Sequence, residues 1–129
     1  LTNKSISLEN FYFFFDAKRD LQDLTDKICC SAHIDTTQVD INKILLPELR
    51  DCKTICIANK KNTDNIYFSG VKVSQLLYFL KLLEYPAEIV QFIEENQFKL
   101  DHFLYDVGFD YQAQGTDLRI VKSGYYGIF

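Results

Sequence analysis

The sequence predicts an α+β protein in which paired helices cover one face of an antiparallel sheet. Short runs of aromatic and β-branched residues are typical of strands. Longer runs place apolar residues at i, i+3 and i+7, as Leu76, Phe79 and Leu83 do, and this spacing is typical of amphipathic helices. The order Asn, apolar, Tyr, Phe occurs twice, at residues 10–13 and 65–68. The chain is therefore expected to repeat one strand–helix unit.

The first unit begins with the strand at residue 10. A helix follows it, because Leu21, Leu24 and Ile28 form one apolar stripe. Residues 39–49 carry a similar stripe with a proline near its end, so we expect a short second helix there. The first strand is thus followed by a pair of helices.

The second unit begins with a hairpin. Residues 53–59 carry β-branched side chains at alternate positions, which is typical of a strand. Residues 60–64 are polar residues common in turns, and residues 65–71 form the second strand. After the stripe at Leu76, a further helix is expected over residues 87–97, because the proline that precedes it is favoured in a first helical turn.

The last part of the chain repeats the hairpin layout. Residues 103–111 form a strand, 112–116 a polar loop and 118–129 the final strand. The predicted order is β, α, α, β, β, α, α, β, β, with five strands.

Length and charge limit the function classes. A chain of 129 residues is the size of one domain, so residues 1–129 are expected to be a single domain or a fragment with about two αα-ββ repeats. The net charge of −4 argues against general nucleic-acid binding, which needs clustered Lys and Arg. The sequence lacks an apolar run long enough for a membrane span or a signal peptide. We therefore expect a soluble, cytoplasmic protein.

The cysteines and histidines give a weak metal signal. The cysteines form an adjacent pair and a C-x3-C, whereas zinc sites usually contain C-x2-C pairs. The residues in question are Cys29, Cys30, Cys52, Cys56, His33 and His102. Cysteine is among the most buried residue types, so Cys52 and Cys56 are interpreted as small buried side chains. A Cys-His nucleophile remains a less favoured alternative.

Alternation along the strands predicts two faces of different character. The apolar face, expected to pack under the helices, contains Phe11, Phe13, Ile55, Ile57, Ile66, Phe68, Leu118 and Ile120. The other mixes rings with polar groups and contains Asn10, Tyr12, Phe14, Thr54, Cys56, Asn65, Tyr67, Tyr105, Val107, Phe109, Arg119 and Val121. This second face is either a solvated surface with incidental tyrosines or the lining of a ligand cavity.

The motif T-x-N-x-Y-F at residues 63–68 resembles the soluble aromatic prenyltransferases of the ABBA type, enzymes of secondary metabolism. The resemblance extends weakly over most of the chain. It implies a partial β-barrel with helices on its outer face. It also implies that an allylic diphosphate ionises inside the barrel and that an electron-rich aromatic acceptor captures the carbocation.

The resemblance also implies site residues, without assigning a catalytic one. The diphosphate would contact Thr63, Asn65, Tyr67 and Arg119. The prenyl and aromatic pocket would contain Tyr12, Phe14, Tyr67, Tyr105 and Phe109. A Mg²⁺ requirement stays open, and Asp20, Asp23 and Asp26 are better explained as the solvated face of a helix than as metal ligands.

Two departures from the family leave alternatives open. Asn10 stands where family members carry a lysine, and a complete barrel has about twice the five strands predicted here. The chain could be part of a longer enzyme, or it could pair with another copy. It could also be a non-catalytic module that binds aromatic ligands or dimerises through its sheet edges.

Overall fold

The computed structural model describes residues 11–29, 40–60, 63–114 and 117–128. Five strands within these ranges form one antiparallel sheet, and each strand pairs with the next one along the chain. The strands are β1 (Phe11–Asp16), β2 (Thr54–Asn59), β3 (Asp64–Val71), β4 (Leu104–Gln114) and β5 (Asp117–Ile128). The predicted α+β class with an antiparallel sheet is confirmed.

The helices lie in the two connections that join β1 to β2 and β3 to β4. The first connection contains α1 (Leu21–Cys29), and the second contains α2 (Val73–Leu82), α3 (Ala87–Glu95) and α4 (Gln97–Leu100). At the start of α2, Gln75 Oε1 accepts a hydrogen bond from the backbone N–H of Lys72 at 2.7 Å. This bond satisfies one of the amide groups that the first turn of a helix leaves unpaired.

The predicted helix over residues 39–49 is wrong for its described part. The chain instead forms two short 3-10 helices, Ile41–Lys43 and Pro47–Leu49. Proline has no N–H and disfavours helical geometry at the residue before it, and Leu46 is extended, with ψ 119°. Ile44, Leu45 and Leu49 are buried, but the proline prevents a continuous helix.

The predicted loop over residues 112–116 is also wrong for its described part, because β4 runs to Gln114 and β5 begins at Asp117. These polar ends pair with each other, Gln112 with Arg119 and Gln114 with Asp117. Backbone hydrogen bonds do not require apolar side chains, so a polar stretch can extend a hairpin.

The hydrophobic core lies between the helices and one sheet face, which we call the helix face. Its strand residues are all buried and include Ile55, Ile57, Ile66, Phe68, Val107, Phe109 and Tyr111. The helices contribute Leu24, Ile28, Leu76, Phe79, Leu80 and Ile93 to the same cluster. The prediction that helices cover one face of the sheet is confirmed.

The two sequence repeats occupy equivalent places in the fold. Tyr12 and Tyr67 lie on the sheet face opposite the helices, in strands that run in the same direction. On the helices that follow, Leu24 and Phe79 are both fully buried. The repeated sequence therefore corresponds to two β–α units, one formed by β1 and α1 and the other by β3 and α2.

We predict that Phe79→Ala lowers the free energy of unfolding by about 3–5 kcal/mol, because it leaves a cavity in a close-packed core. Phe98→Ala is the matched control. Its ring is 90% exposed, so the change should stay within about 0.5 kcal/mol. Urea unfolding measures both variants, and similar losses would contradict this placement of the core.

Candidate functional site

The sheet face opposite the helices carries aromatic and polar side chains, and we call it the aromatic face. Strand pairing orders its residues into three rows that cross all five strands. From β1 to β5 the rows are Tyr12–Ala58–Asn65–Asp110–Lys122, then Phe14–Cys56–Tyr67–Gly108–Gly124, then Asp16–Thr54–Ser69–Asp106–Tyr126. Small residues in the central strands leave room between the larger side chains.

One side of this face contains a mostly apolar hollow of about 400 Å³, the apolar pocket. It is lined by Tyr12, Phe14, Thr54, Cys56, Tyr67, Ser69 and Asp106. Three residues of the predicted prenyl and aromatic pocket, Tyr12, Phe14 and Tyr67, thus lie together. The Tyr12 and Phe14 side chains are 55% and 72% exposed, so a ligand can reach them.

A second hollow of about 200 Å³, the polar pocket, lies beside the first. Its lining includes Lys60, Asn65, Tyr67, Gly108, Asp110, Lys122 and Tyr126. Tyr67 borders both pockets and separates them. The face therefore offers an aromatic compartment next to a compartment of hydrogen-bonding and charged groups, which is the usual composition of a small-molecule site.

The buried carboxylate of Asp110 organises the polar pocket. Asn65, directly opposite on β3, donates Nδ2–H to Asp110 Oδ1 at 2.5 Å. The Lys60 ammonium donates to both Asp110 oxygens at 3.1 and 3.2 Å. Lys122, opposite on β5, places its Nζ 3.9 Å from Asp110 Oδ2. A buried carboxylate needs such partners, because desolvation of an unpaired charge is very unfavourable.

The amide of Asn65 has one unused acceptor. Its Nδ2 is committed to Asp110, whereas its buried Oδ1 has no hydrogen-bond partner among the described residues. A buried acceptor without a donor costs about 1–3 kcal/mol. Because this oxygen has almost no accessible surface, a bound molecule does not reach it without a local rearrangement of the polar pocket.

Tyr67 is held in place by a glycine on the neighbouring strand. A Cβ atom at Gly108 would stand only 2.3 Å from Tyr67 Cδ1, so the tyrosine ring occupies the space that a side chain at this position would need. Burial raises the pKa of the Tyr67 hydroxyl. The hydroxyl therefore stays protonated at neutral pH and can donate a hydrogen bond.

The cysteines near the site are not activated as nucleophiles. Cys56 lines the apolar pocket and Cys52 lies in the core. Burial raises the pKa of Cys56, and it raises the pKa of Cys52 to about 11. Both are neutral thiols at pH 7, so they act as small buried side chains rather than as thiolates.

The predicted placement of Tyr105, Val107 and Phe109 on this face is wrong. β3 pairs with β4 so that Phe109 lies opposite Ile66 and its side chain is buried on the helix face, although Phe109 is also one of the residues that line the polar pocket. The Phe109 ring packs against Tyr111 with ring centroids 5.8 Å apart, and Tyr105 donates its hydroxyl to the carbonyl of Leu100. The helices between β3 and β4 separate the two strands in sequence, so the phase of β4 was not fixed by its neighbour.

Two of the four predicted diphosphate contacts, Asn65 and Tyr67, line the polar pocket. Arg119 is exposed on the same face but lies opposite Gln112, beyond the row of Asp110. Thr63 belongs to the β2–β3 turn, where its carbonyl accepts the Lys60 N–H at 2.9 Å. The described structure places Arg119 and Thr63 outside the lining of either pocket.

The register of β5 also differs from the simple alternation of side chains that the sequence predicts for this strand. Lys122 pairs with Asp110, and Ile120 pairs with Tyr111, so the alternation shifts between these pairs. Val121 is the extra residue at this irregularity, and the predicted simple alternation from Arg119 to Val121 does not continue along β5.

Sequence reasoning missed the charged residues of the polar pocket. Asp110 and Gly108 alternate with Val107, Phe109 and Tyr111 along β4, which is the ordinary pattern of a strand with one buried face. That alternation was a usable signal, but the aromatic residues were assigned to the ligand side.

Comparison with family models, with curated proteins and with solved structures gave no match to this chain.

Within the described ranges, no cluster of three or more His, Cys, Asp or Glu side chains could hold a metal ion. The helices of those ranges are too short or too polar to cross a bilayer. The predictions for Asn10, Cys30 and His33 concern residues outside the described ranges.

We predict that Gly108→Ala displaces the Tyr67 ring and lowers the free energy of unfolding by about 1–3 kcal/mol, since the new methyl group overlaps the ring. Gly124→Ala is the control, because its Cβ would meet its nearest neighbour, Tyr126 Oη, at 3.8 Å. Urea unfolding and the NMR shifts of the Tyr67 ring measure both effects. Equal responses of the two variants would disprove the close contact.

Proposed function

We propose that this protein binds a small aromatic molecule on the aromatic face, with the ring in the apolar pocket and a polar substituent in the polar pocket. The observation that carries this proposal is the position of Tyr67, which borders both pockets. A ligand that reaches across Tyr67 would meet rings on one side and hydrogen-bonding groups on the other.

The apolar pocket supports binding of a flat ring. Tyr12, Phe14 and Tyr67 surround a floor of the small side chains Cys56 and Ser69. Aromatic pairs contribute about 0.5–1.5 kcal/mol beyond the effect of buried area. The volume of about 400 Å³ is within the usual range for a pocket that holds one small molecule.

The polar pocket supports recognition of a substituent. The ammonium groups of Lys60 and Lys122 can donate hydrogen bonds, and the carboxylate of Asp110 beside them can accept them. A phenolic hydroxyl both donates and accepts hydrogen bonds, so it matches this mixture of groups.

We predict that 2-naphthol binds in isothermal titration calorimetry and that Tyr12→Ser and Phe14→Ser each weaken its affinity about 2- to 10-fold, since each removes one aromatic contact. Both side chains are exposed, so neither change should unfold the protein. Phe98→Ser, an exposed ring on α4, is the matched control and should bind normally. Absence of heat at millimolar naphthol, or equal losses in all three variants, would refute the proposal.

Prenyl transfer is the second candidate, and the two lysines favour it. Lys60 and Lys122 give the polar pocket two ammonium groups around one carboxylate, beside Asn65 and Tyr67. Cationic groups there would stabilise a diphosphate leaving group. The rings of the apolar pocket would stabilise an allylic cation by about 0.5–2 kcal/mol each. The aromatic ligand of the first proposal would then be the acceptor.

We predict, for this second candidate, that geranyl diphosphate binds and that Lys122→Ala weakens binding about tenfold, as loss of a charge-assisted contact would. Arg119→Ala should have little effect, because Arg119 lies outside both pockets. Prenylated naphthol detected by mass spectrometry would establish transfer. If naphthol binds and geranyl diphosphate does not, the protein binds aromatic molecules without transferring a prenyl group. If only Arg119→Ala weakens binding of geranyl diphosphate, the anion site lies at the end of the β4–β5 hairpin instead of in the polar pocket.

A further inference from the structure

The helix side of the molecule carries a second concave surface, separate from the aromatic face. A groove of about 420 Å³ lies between α2, α3 and the adjoining ends of β4 and β5. Its apolar lining includes Leu76, Ile89, Phe92, Ile93, Tyr105 and Tyr125, and Glu88 lies in its wall. A groove of this size can receive one or two bulky apolar side chains.

Exposed rings lie on α3, which lines the groove, and on α4, which follows α3 in the chain. Phe92 on α3 is 61% exposed and lines the groove, and Phe98 on α4 is 90% exposed. Phe98 also borders an acidic hollow that contains Glu94, Glu95 and Asp101. Single exposed apolar residues are common, but two rings beside an apolar groove form the type of patch that marks an interaction surface.

The charge of this region identifies the kind of partner. Residues 81–101 contain five carboxylates and two lysines, a net charge of −3, and the ammonium group of Lys81 lies 3.7 Å from the carboxylate of Glu94. Anionic lipid headgroups and nucleic-acid phosphates would be repelled here. A two-fold contact with a second copy would bring the same carboxylates together. Only a cationic partner complements both the rings and the charge.

We propose that the groove, α3 and α4 form a docking surface for a cationic amphipathic helix of another protein. The apolar stripe of such a helix would place side chains in the groove and against Phe92, and its lysines or arginines would lie near Glu88, Glu95 and Asp101. Helices with apolar anchors at i, i+3 or i+4, and i+7 bind apolar grooves in this way.

The probe is an amphipathic peptide of about 18 residues made of leucine and lysine, with one tryptophan in its apolar stripe. The chain contains no tryptophan, so tryptophan fluorescence reports the peptide alone. We predict a saturable blue shift and an affinity that falls at least about tenfold between 0.05 and 0.5 M salt, because screening weakens exposed charge pairs. Phe92→Ser and Glu88→Lys should each weaken binding about tenfold.

Two controls locate the binding site. Phe14→Ser, on the aromatic face, should bind the peptide normally, and a peptide with glutamate in place of lysine should not bind. Circular dichroism of Phe92→Ser and Glu88→Lys verifies folding, which is expected because both residues are exposed. The proposal is overturned if the lysine peptide gives no saturable shift, if the glutamate peptide binds equally well, or if only Phe14→Ser weakens binding.

Discussion

The register between β3 and β4 is the constraint on which the site depends. It places Asn65 opposite Asp110 and Tyr67 opposite Gly108, and thus creates the hydrogen bond and the ring contact that define the polar pocket. A shift of one residue would turn Asp110 into the core and Phe109 into the pocket, because successive side chains alternate between faces. The apolar residues of β4 prevent this shift, since Val107, Phe109 and Tyr111 are all buried against the helices.

The polar pocket illustrates how a buried charge can be retained. Two charges in a low-dielectric site are rarely more stable than well-packed apolar residues. Asp110 compensates for its desolvation with short contacts to Asn65 and Lys60, and it fixes the amide orientation of Asn65. The same network holds the Lys60 ammonium beside Asp110. Polar groups that are held in place in this way favour recognition, because a ligand does not have to reorder them.

The two faces of the sheet have different roles in the structure. The helix face supplies the core, and at its β5 end it continues into the groove beside α3. The aromatic face supplies neither core nor groove residues, and its central rows use alanine, cysteine and glycine instead of large side chains. Binding on one face can therefore change by substitution without loss of the packing on the other. This independence makes matched controls such as Phe14 and Phe98 informative.

Local sequence patterns were enough to predict the order of the five strands along the chain, the helices on the stripes of Leu24 and Phe79, and the shared face of Tyr12, Phe14, Asn65 and Tyr67. Periodicity and turn residues are local signals, and they suffice for elements and for strands joined by tight hairpins. Which residues of β3, β4 and β5 lie opposite one another follows from the register of the folded sheet. The contacts that bring Asp110, Lys60 and Lys122 to Asn65 join residues up to 50 positions apart, so alternation within one strand does not predict which of them meet. The prediction for Tyr105 and Phe109 is wrong because the side of β4 on which they lie is its apolar side, and that side packs against the helices.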